Sequence, residues 1–164
     1  MKTITILLTK YSDFFGRVAR GIRDKGYSHA SISIDGEETF YSFNYKGFAI
    51  EKPKERTPRK QVPGNLCIRM DVPDENYEIM KREIDKFIKE KDKYKFAKLG
   101  LALCFVGIPH KFKNQFFCSQ FVAEILSRAG TVKLKKKTSL YMPTHFINGF
   151  ECLFSGKQLV YNGL

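Results

Sequence analysis

Apolar residues alternate with small or polar residues in several short segments of the first 72 residues, and beyond residue 73 they mostly recur every three or four residues. A period of two is typical of β-strands, and a period of three to four is typical of amphipathic helices. A chain of 164 residues is long enough for about one domain with an ordinary core. These patterns predict a single α+β domain over residues 1–164, with a mainly antiparallel sheet packed against helices.

Turn and helix-start signals divide the chain into elements. Asp35-Gly36 predicts a turn that joins two alternating segments into a β-hairpin, and Pro73 begins a clearly amphipathic helix. Prolines and lysines at residues 52–64 predict an exposed irregular crossing. The predicted strands are residues 1–10, 28–34, 39–43, 48–50 and 66–72, with a last hairpin or bent strand pair formed by residues 152–154 and 158–161. The predicted helices are residues 12–26, 73–88, a more buried one at 96–106, 118–130, and a short one that starts at Pro143.

No segment of the sequence has the pattern of a transmembrane helix or of a signal peptide. The longest apolar run, residues 99–108, has about half of the ~20 residues that a transmembrane helix needs. The first ten residues interleave threonine with apolar residues and are not followed by a small-residue cleavage site, so we expect a strand and a cytoplasmic protein. The four cysteines have no CxxC or Cys/His ligand spacing, which predicts reduced thiols and neither a metal nor another cofactor.

Lysine and arginine outnumber aspartate and glutamate by 29 to 17, which gives a formal net charge of +12. An excess of this size attracts polyanions without sequence specificity. The basic residues are spread over several loops and one helix face, and no nucleic-acid motif accompanies them. We therefore expect a solvated basic surface that binds polyanions or anionic surfaces weakly at most, and no specific nucleic-acid site.

Cys118 differs from the other cysteines because it stands at the predicted start of a helix. Backbone N–H groups and the helix dipole stabilise a thiolate there, which makes Cys118 a candidate nucleophile. A thiolate that transfers acyl groups needs a proton acceptor, and histidine is best matched to neutral pH. His110 and His145 are expected at the surface, whereas His29 begins a strand beside small polar residues. The alternative interpretation is that Cys118 and His29 are both structural.

Four segments of the chain, taken in order, have counterparts in a known family. They are Tyr27-Ser28-His29-Ala30-Ser31-Ile32-Ser33-Ile34, Tyr41-Ser42-Phe43 with Gly47-Phe48-Ala49-Ile50-Glu51, Phe117-Cys118-Ser119-Gln120-Phe121-Val122, and Met142-Pro143-Thr144-His145-Phe146. These segments resemble permuted papain-like cysteine hydrolases, in the YiiX-like branch of the NlpC-type superfamily, which is related to the lecithin:retinol acyltransferases. The resemblance implies a circularly permuted papain-like fold in which the histidine strand precedes the helix of the nucleophile. It also implies that Cys118 is the nucleophile and His29 the general base, with the Cys118 backbone N–H helping to hold the oxyanion.

In that group a third polar residue, on the strand after the histidine, orients the imidazole. If Asp35-Gly36 is a two-residue turn, Ser42 lies directly opposite His29, and we choose Ser42 for this role. The family more often has Glu, His or Asn at this point, and a serine hydroxyl carries no charge that stabilises an imidazolium. A four-residue turn through Glu38 would instead bring Asn44 opposite His29.

Three functions are compatible with these residues. The first is a cysteine amidase or peptidase that forms a thioester intermediate and releases it with water. The second is a thioesterase or acyltransferase, because the phenylalanines around Cys118 would suit an acyl chain. The third is a binding module on a catalytically decayed scaffold, which the uncharged Ser42 and the basic surface favour. We predict the first function, with a small-molecule, peptide or acyl substrate.

Overall fold

The computed structural model describes residues 1–11, 26–55 and 61–164, and most of its elements follow the apolar pattern of the sequence. The strands are β1 (Lys2–Tyr11), β2 (His29–Ser33), β3 (Phe40–Asn44), β4 (Gly47–Glu51), β5 (Gln61–Val72), β6 (Lys95–Phe96), β7 (Gln115–Phe116), β8 (Val132–Leu134), β9 (Phe150–Cys152) and β10 (Gln158–Tyr161). The helices in the described ranges are α1 (Asp74–Lys89), α2 (Lys98–Phe105), α3 (Cys118–Arg128) and α4 (His145–Asn148). Short 3-10 turns lie at Pro53–Glu55, Lys91–Lys93 and Thr138–Leu140.

Six strands form one antiparallel sheet in the order β10-β5-β1-β2-β3-β4. The long strand β1 pairs with β2 on one side and with β5 on the other, so that Leu7 lies between Ser31 and Cys67. A short parallel pair, β6 with β7, and a short antiparallel pair, β8 with β9, lie outside this sheet. The prediction of an α+β architecture with a mainly antiparallel sheet is confirmed.

Helices α1 and α3 pack on the face of the sheet to which the alternate apolar side chains point. The rings of Phe43, Phe87 and Phe121 meet there, with centroids 5.0 to 6.0 Å apart. All three rings are buried, so they exclude water from the junction of strand β3 with the two helices. Because α3 contacts β2 and β3 directly, this packing fixes the position of its first residue, Cys118.

The predicted C-terminal hairpin is wrong. Strand β9 pairs with β8, with Cys152 opposite Val132, whereas β10 pairs with β5, with Tyr161 opposite Leu66. The backbone groups of β9 and β10 therefore form hydrogen bonds with two different strands. The two strands do not pair with each other, although they are close in the sequence. The predicted helix at residues 12–26 lies outside the described residues, as do residues 56–60 of the predicted crossing.

Helix α2 also departs from the prediction in length and in burial. It begins at Lys98 because residues 95 and 96 belong to β6, whose backbone pairs with β7. It is not a more buried helix, since Leu99 is 59% exposed and Val106, which caps its C-terminus, is 69% exposed. Within the three described ranges, the helices are all too short or too polar to cross a membrane.

Candidate active site

Cys118 is the first residue of α3, and its two neighbours hold the helix start in place. The carbonyl of Phe117 accepts the N–H of Phe121 at 3.0 Å, which closes the first turn. Ser119 Oγ donates to the carbonyl of Tyr141 at 2.6 Å and tethers the same turn to the following segment of the chain. Phe121 is fully buried in the core, whereas Cys118 remains half-buried at the helix end. The Cys-Ser-Gln-Phe sequence therefore places an anchored thiol at a helix N-terminus.

His29 is the first residue of β2 and contacts Cys118 through a side-chain hydrogen bond. The N–H of Ser28 donates to the carbonyl of Thr9 at 3.0 Å, so the start of β2 is held against β1. The backbone N–H groups of Ala30 and Ser119 are also directed at the Cys118 sulfur. Strand β2 and helix α3 thus meet at this thiol, and the structure brings together the predicted nucleophile and base.

The surroundings of Cys118 favour the thiolate. Burial by itself raises the pKa of this thiol, because a charge is less stable away from water. The hydrogen bond and charge of His29, together with the two backbone N–H groups, outweigh burial and hold the pKa of Cys118 below its ordinary value. These contacts therefore favour the thiolate of Cys118, as an activated nucleophile requires.

A buried carboxylate, Glu51, also contacts the imidazole of His29. His29 Nε2 lies 3.0 Å from Glu51 Oε1 and 3.1 Å from Glu51 Oε2. The two residues are 7% and 6% exposed, so this contact is screened little by water. A carboxylate only accepts hydrogen bonds, so Nε2 carries a proton in this assignment and Nδ1 is the nitrogen that can accept one. The order thiol, imidazole, carboxylate is the arrangement of a catalytic triad.

The hairpin between β2 and β3 has a different register from the one that places Ser42 opposite His29. Tyr41 pairs with Ile32, where a two-residue turn would require residue 39, so the pairing is shifted by two residues. Ser33 Oγ accepts the N–H of Glu37 at 3.2 Å, and the left-handed backbone of Glu37 (φ 69°) lengthens the turn. The turn is therefore the four-residue one that the sequence left open.

Ser42 does not orient the imidazole in this structure. Its hydroxyl donates to the backbone carbonyl of Ala30 at 2.6 Å, inside the sheet. The longer turn sets the alternative residue, Asn44, opposite His29 when the observed register is extended, but Asn44 Oδ1 accepts the N–H of Lys46 at 2.8 Å. The predicted position of Ser42 opposite His29 is wrong, because the register differs, and Glu51 is the residue that contacts Nε2 of His29.

Glu51 is the site residue that the sequence interpretation missed. It is the last residue of β4, two strands away from His29 in the sheet order. Because Ser42 pairs with Ala49, strand alternation places Ser42, Ala49 and Glu51 on the same face of the sheet. The available signal was an acidic residue that ends an otherwise apolar strand within a segment that carried the family resemblance.

The remaining candidates have other environments. His145 Nδ1 accepts the N–H of Met142 at 3.0 Å, and His110 is exposed and packs on Phe112. No disulfide joins the four cysteines, all of which lie in the described ranges. Among the described residues, no group of three or more His, Cys, Asp or Glu side chains is placed to hold a metal ion.

Comparisons with known proteins do not identify a family for this chain. No protein-family model matches the chain, and a search of the curated proteins finds no significant match. The function has to be argued from the site itself.

Ser42→Ala tests the structural role of the Ser42 hydroxyl. The change removes one buried hydrogen bond to the Ala30 carbonyl, so we expect the free energy of unfolding to fall by about 1 kcal/mol. Urea denaturation measures this change. The alkylation rate of Cys118 should remain within about twofold of wild type, since His29 keeps its carboxylate partner. A large loss of Cys118 reactivity in a folded Ser42→Ala variant would restore Ser42 to the site.

Proposed function

We propose that the protein is a cysteine hydrolase of the amidase or peptidase type, with Cys118 as nucleophile, His29 as general base and Glu51 as the residue that orients the imidazole. The observation that carries this proposal is the continuous contact from the Cys118 thiol through His29 to the Glu51 carboxylate. It combines a thiol of lowered pKa with a base and with a charge that stabilises imidazolium.

The reaction would proceed in two halves. The Cys118 thiolate attacks the carbonyl carbon of an amide, and the carbonyl electron pair moves to oxygen. The Cys118 backbone N–H, which has no acceptor inside its helix, can stabilise this oxyanion. The carbon–nitrogen bond then breaks as the His29 imidazolium protonates the leaving amine, which leaves a thioester. In the second half His29 takes a proton from water, the resulting hydroxide attacks the thioester, and the carbon–sulfur bond breaks to return the thiolate and release a carboxylic acid.

A permuted papain-like fold would account for the order of these parts. The strand that bears His29 precedes the helix that bears Cys118 along the chain, and the antiparallel sheet packs against that helix. The Cys-Ser-Gln-Phe start of α3 and the strand that begins at His29 are the segments on which the resemblance depends. The charged third residue, Glu51, also fits the usual pattern of that group better than Ser42 does.

Two observations bear on the alternative functions. The buried carboxylate of Glu51 removes the uncharged third residue as an argument for a decayed binding module. Phe117, next to the nucleophile, packs with Ala97, Cys104 and Met142 against α2, whose outer side is apolar and exposed. This apolar neighbourhood favours a thioesterase or acyltransferase as the second candidate.

Hydrolysis of a panel of short peptide amides, acyl esters and acyl thioesters tests the proposal. We expect the wild-type protein to cleave an amide, and Cys118→Ala to fall to background because no thioester can form. Cys152→Ala is the matched control, since Cys152 is also half-buried but belongs to β9 and should be dispensable. Amide cleavage that survives in Cys118→Ala would contradict the proposal, and cleavage of esters and thioesters alone would favour the second candidate.

A further inference from the structure

The outward side of α2 is apolar where a helix of a globular domain is normally polar. Leu99 and Val106 lie seven residues apart and therefore on the same side, and they are 59% and 69% exposed. Ala102 and Leu103 lie between them at helical spacing, the first exposed and the second half-buried. An exposed patch of several adjacent apolar side chains is typical of a surface that binds a protein or a membrane.

The end of α2 extends this apolar surface. The N–H of Gly107 donates to the carbonyl of Cys104 at 3.1 Å, and the N–H of Ile108 donates to the carbonyl of Leu103 at 2.9 Å. Gly107 has the left-handed backbone (φ 78°) that such a helix end requires. This motif brings Ile108, which is 52% exposed, next to Leu103. The hydrogen bonds of the helix end thus fix the position of Ile108 within the exposed apolar surface.

Exposed lysines border this surface on both sides along the chain. Lys98 precedes it, and Lys111 and Lys113 follow it. Phe112 packs against α2, where its ring lies 3.6 Å from the position that a Cβ at Gly100 would take. Phe112 contacts the Gly100 side of α2, so the basic loop of residues 111–113 lies beside this helix.

A polar cavity of about 270 Å³ adjoins the basic loop. Lys86 and Lys113 lie in its wall and form no ion pair in the described part of the chain. Gln120, which is 2% exposed, also lines the cavity. Glu124 in the same wall pairs with Lys111 and Arg128, so Lys86 and Lys113 are the lining cations that suit the oxygens of a phosphate group.

We propose that residues 99–113 form a docking surface for an anionic phospholipid bilayer. The side chains of Leu99, Val106 and Ile108 enter the boundary between headgroups and acyl chains, and the bordering lysines bind headgroup phosphates, one of them at the cavity. A second copy of this chain fits the surface poorly, because it would bring the same lysines against each other. Docking places the Phe117 side of α2, next to Cys118, close to the bilayer, but it does not depend on catalysis.

Co-sedimentation of the full chain with vesicles tests this proposal. We expect binding to vesicles of phosphatidylcholine and phosphatidylserine in equal parts, much weaker binding to phosphatidylcholine alone, and partial loss at high salt. Replacing Leu99, Val106 and Ile108 together by serine should weaken binding by at least about tenfold. Lys98→Gln and Lys113→Gln should each weaken it by about fivefold. Cys118→Ala should bind like wild type, which separates this test from that of the proposed hydrolase.

Matched control variants use the rest of the surface. Leu153, Phe154 and Tyr161 are 53%, 47% and 63% exposed, so their joint replacement by serine removes similar apolar area elsewhere. Lys133→Gln and Lys137→Gln remove the same charge from another exposed region. Neither control should change vesicle binding by more than about twofold. Because all these positions are exposed, thermal unfolding should remain close to wild type.

Three results would overturn the proposal. The first is equal binding to the two kinds of vesicle, or no binding. The second is an equal loss of binding in the control variants, which would indicate a diffuse charge effect. The third is a dimer in sedimentation velocity that only the Leu99, Val106 and Ile108 variant abolishes, which would assign the surface to a second copy.

Discussion

At neutral pH, iodoacetamide should alkylate Cys118 at least about a hundredfold faster than Cys67 or Cys152, because the reagent attacks the thiolate. Burial and the nearby charge of Glu37 raise the pKa of Cys67 to about 11, which leaves about one thiol in ten thousand ionised at pH 7. Burial also raises the pKa of Cys152. In Cys118 the contacts with His29 and two backbone N–H groups outweigh burial and lower the pKa. Time-resolved mass spectrometry of the tryptic peptides measures the four rates.

The dependence of the Cys118 alkylation rate on pH is a second test of the nucleophile assignment. The alkylation rate of Cys118 should be constant above its lowered pKa and fall as the pH drops through that value. The control is the same chain in urea, where the four cysteines should react at similar rates and follow the ordinary thiol pKa near 8.5. If folded Cys118 reacts no faster than Cys152, the thiol is not activated and the nucleophile assignment fails.

The sequence predicts best those elements that bury one face against a single core. The two-residue period of β1 and the helical period of α1 and α3 gave bounds close to the observed ones, whereas β5 begins at Gln61, five residues before its predicted start and inside the predicted irregular crossing. In these elements a shift of register would expose a whole apolar face, so local pattern and global packing agree. The position of Cys118 at a helix start follows from the same agreement.

The third residue of the candidate site, Glu51, could not be predicted from the sequence, because its position depends on contacts between distant segments. Asp35-Gly36 suggested a two-residue turn, but hydrogen bonds of the Ser33 hydroxyl and the left-handed Glu37 produced the longer one. Thr5 and Arg69, both from other strands, bind the Glu37 carboxylate at 2.8 and 2.9 Å. A hairpin whose register is held by strands β1 and β5 cannot be settled from its own residues.

The predicted burial of α2 was wrong for a different reason. An apolar run of ten residues reads as a core segment, since burial is the usual fate of such side chains. The structure buries only the side of α2 that carries Gly100 and Cys104 and leaves Leu99 and Val106 exposed. Composition reports how apolar a helix is, but which side faces solvent is decided by the elements that pack on it.

Glu51→Gln should slow alkylation of Cys118 by about tenfold below neutral pH and raise the pKa of this thiol. Glutamine keeps the shape of the side chain and can accept the His29 N–H through its amide oxygen, so the buried contact is retained without its charge. A neutral partner stabilises imidazolium less, and the thiolate that pairs with the imidazolium becomes less favourable. The pH profile of alkylation measures this shift.

Stability provides a second readout of the same change. The folded pKa of Cys118 lies below its ordinary value near 8.5, so the thiolate stabilises the wild-type fold fully above about pH 8.5, and this contribution is lost as the pH falls through the folded pKa. Glu51→Gln should flatten this part of the pH dependence of the unfolding free energy. Glu37→Gln is the matched control, because Glu37 binds Arg69 and not the imidazole, and it should leave the Cys118 profile in place. If both variants behave alike, the carboxylate of Glu51 acts on the fold as a whole and does not position His29 for catalysis.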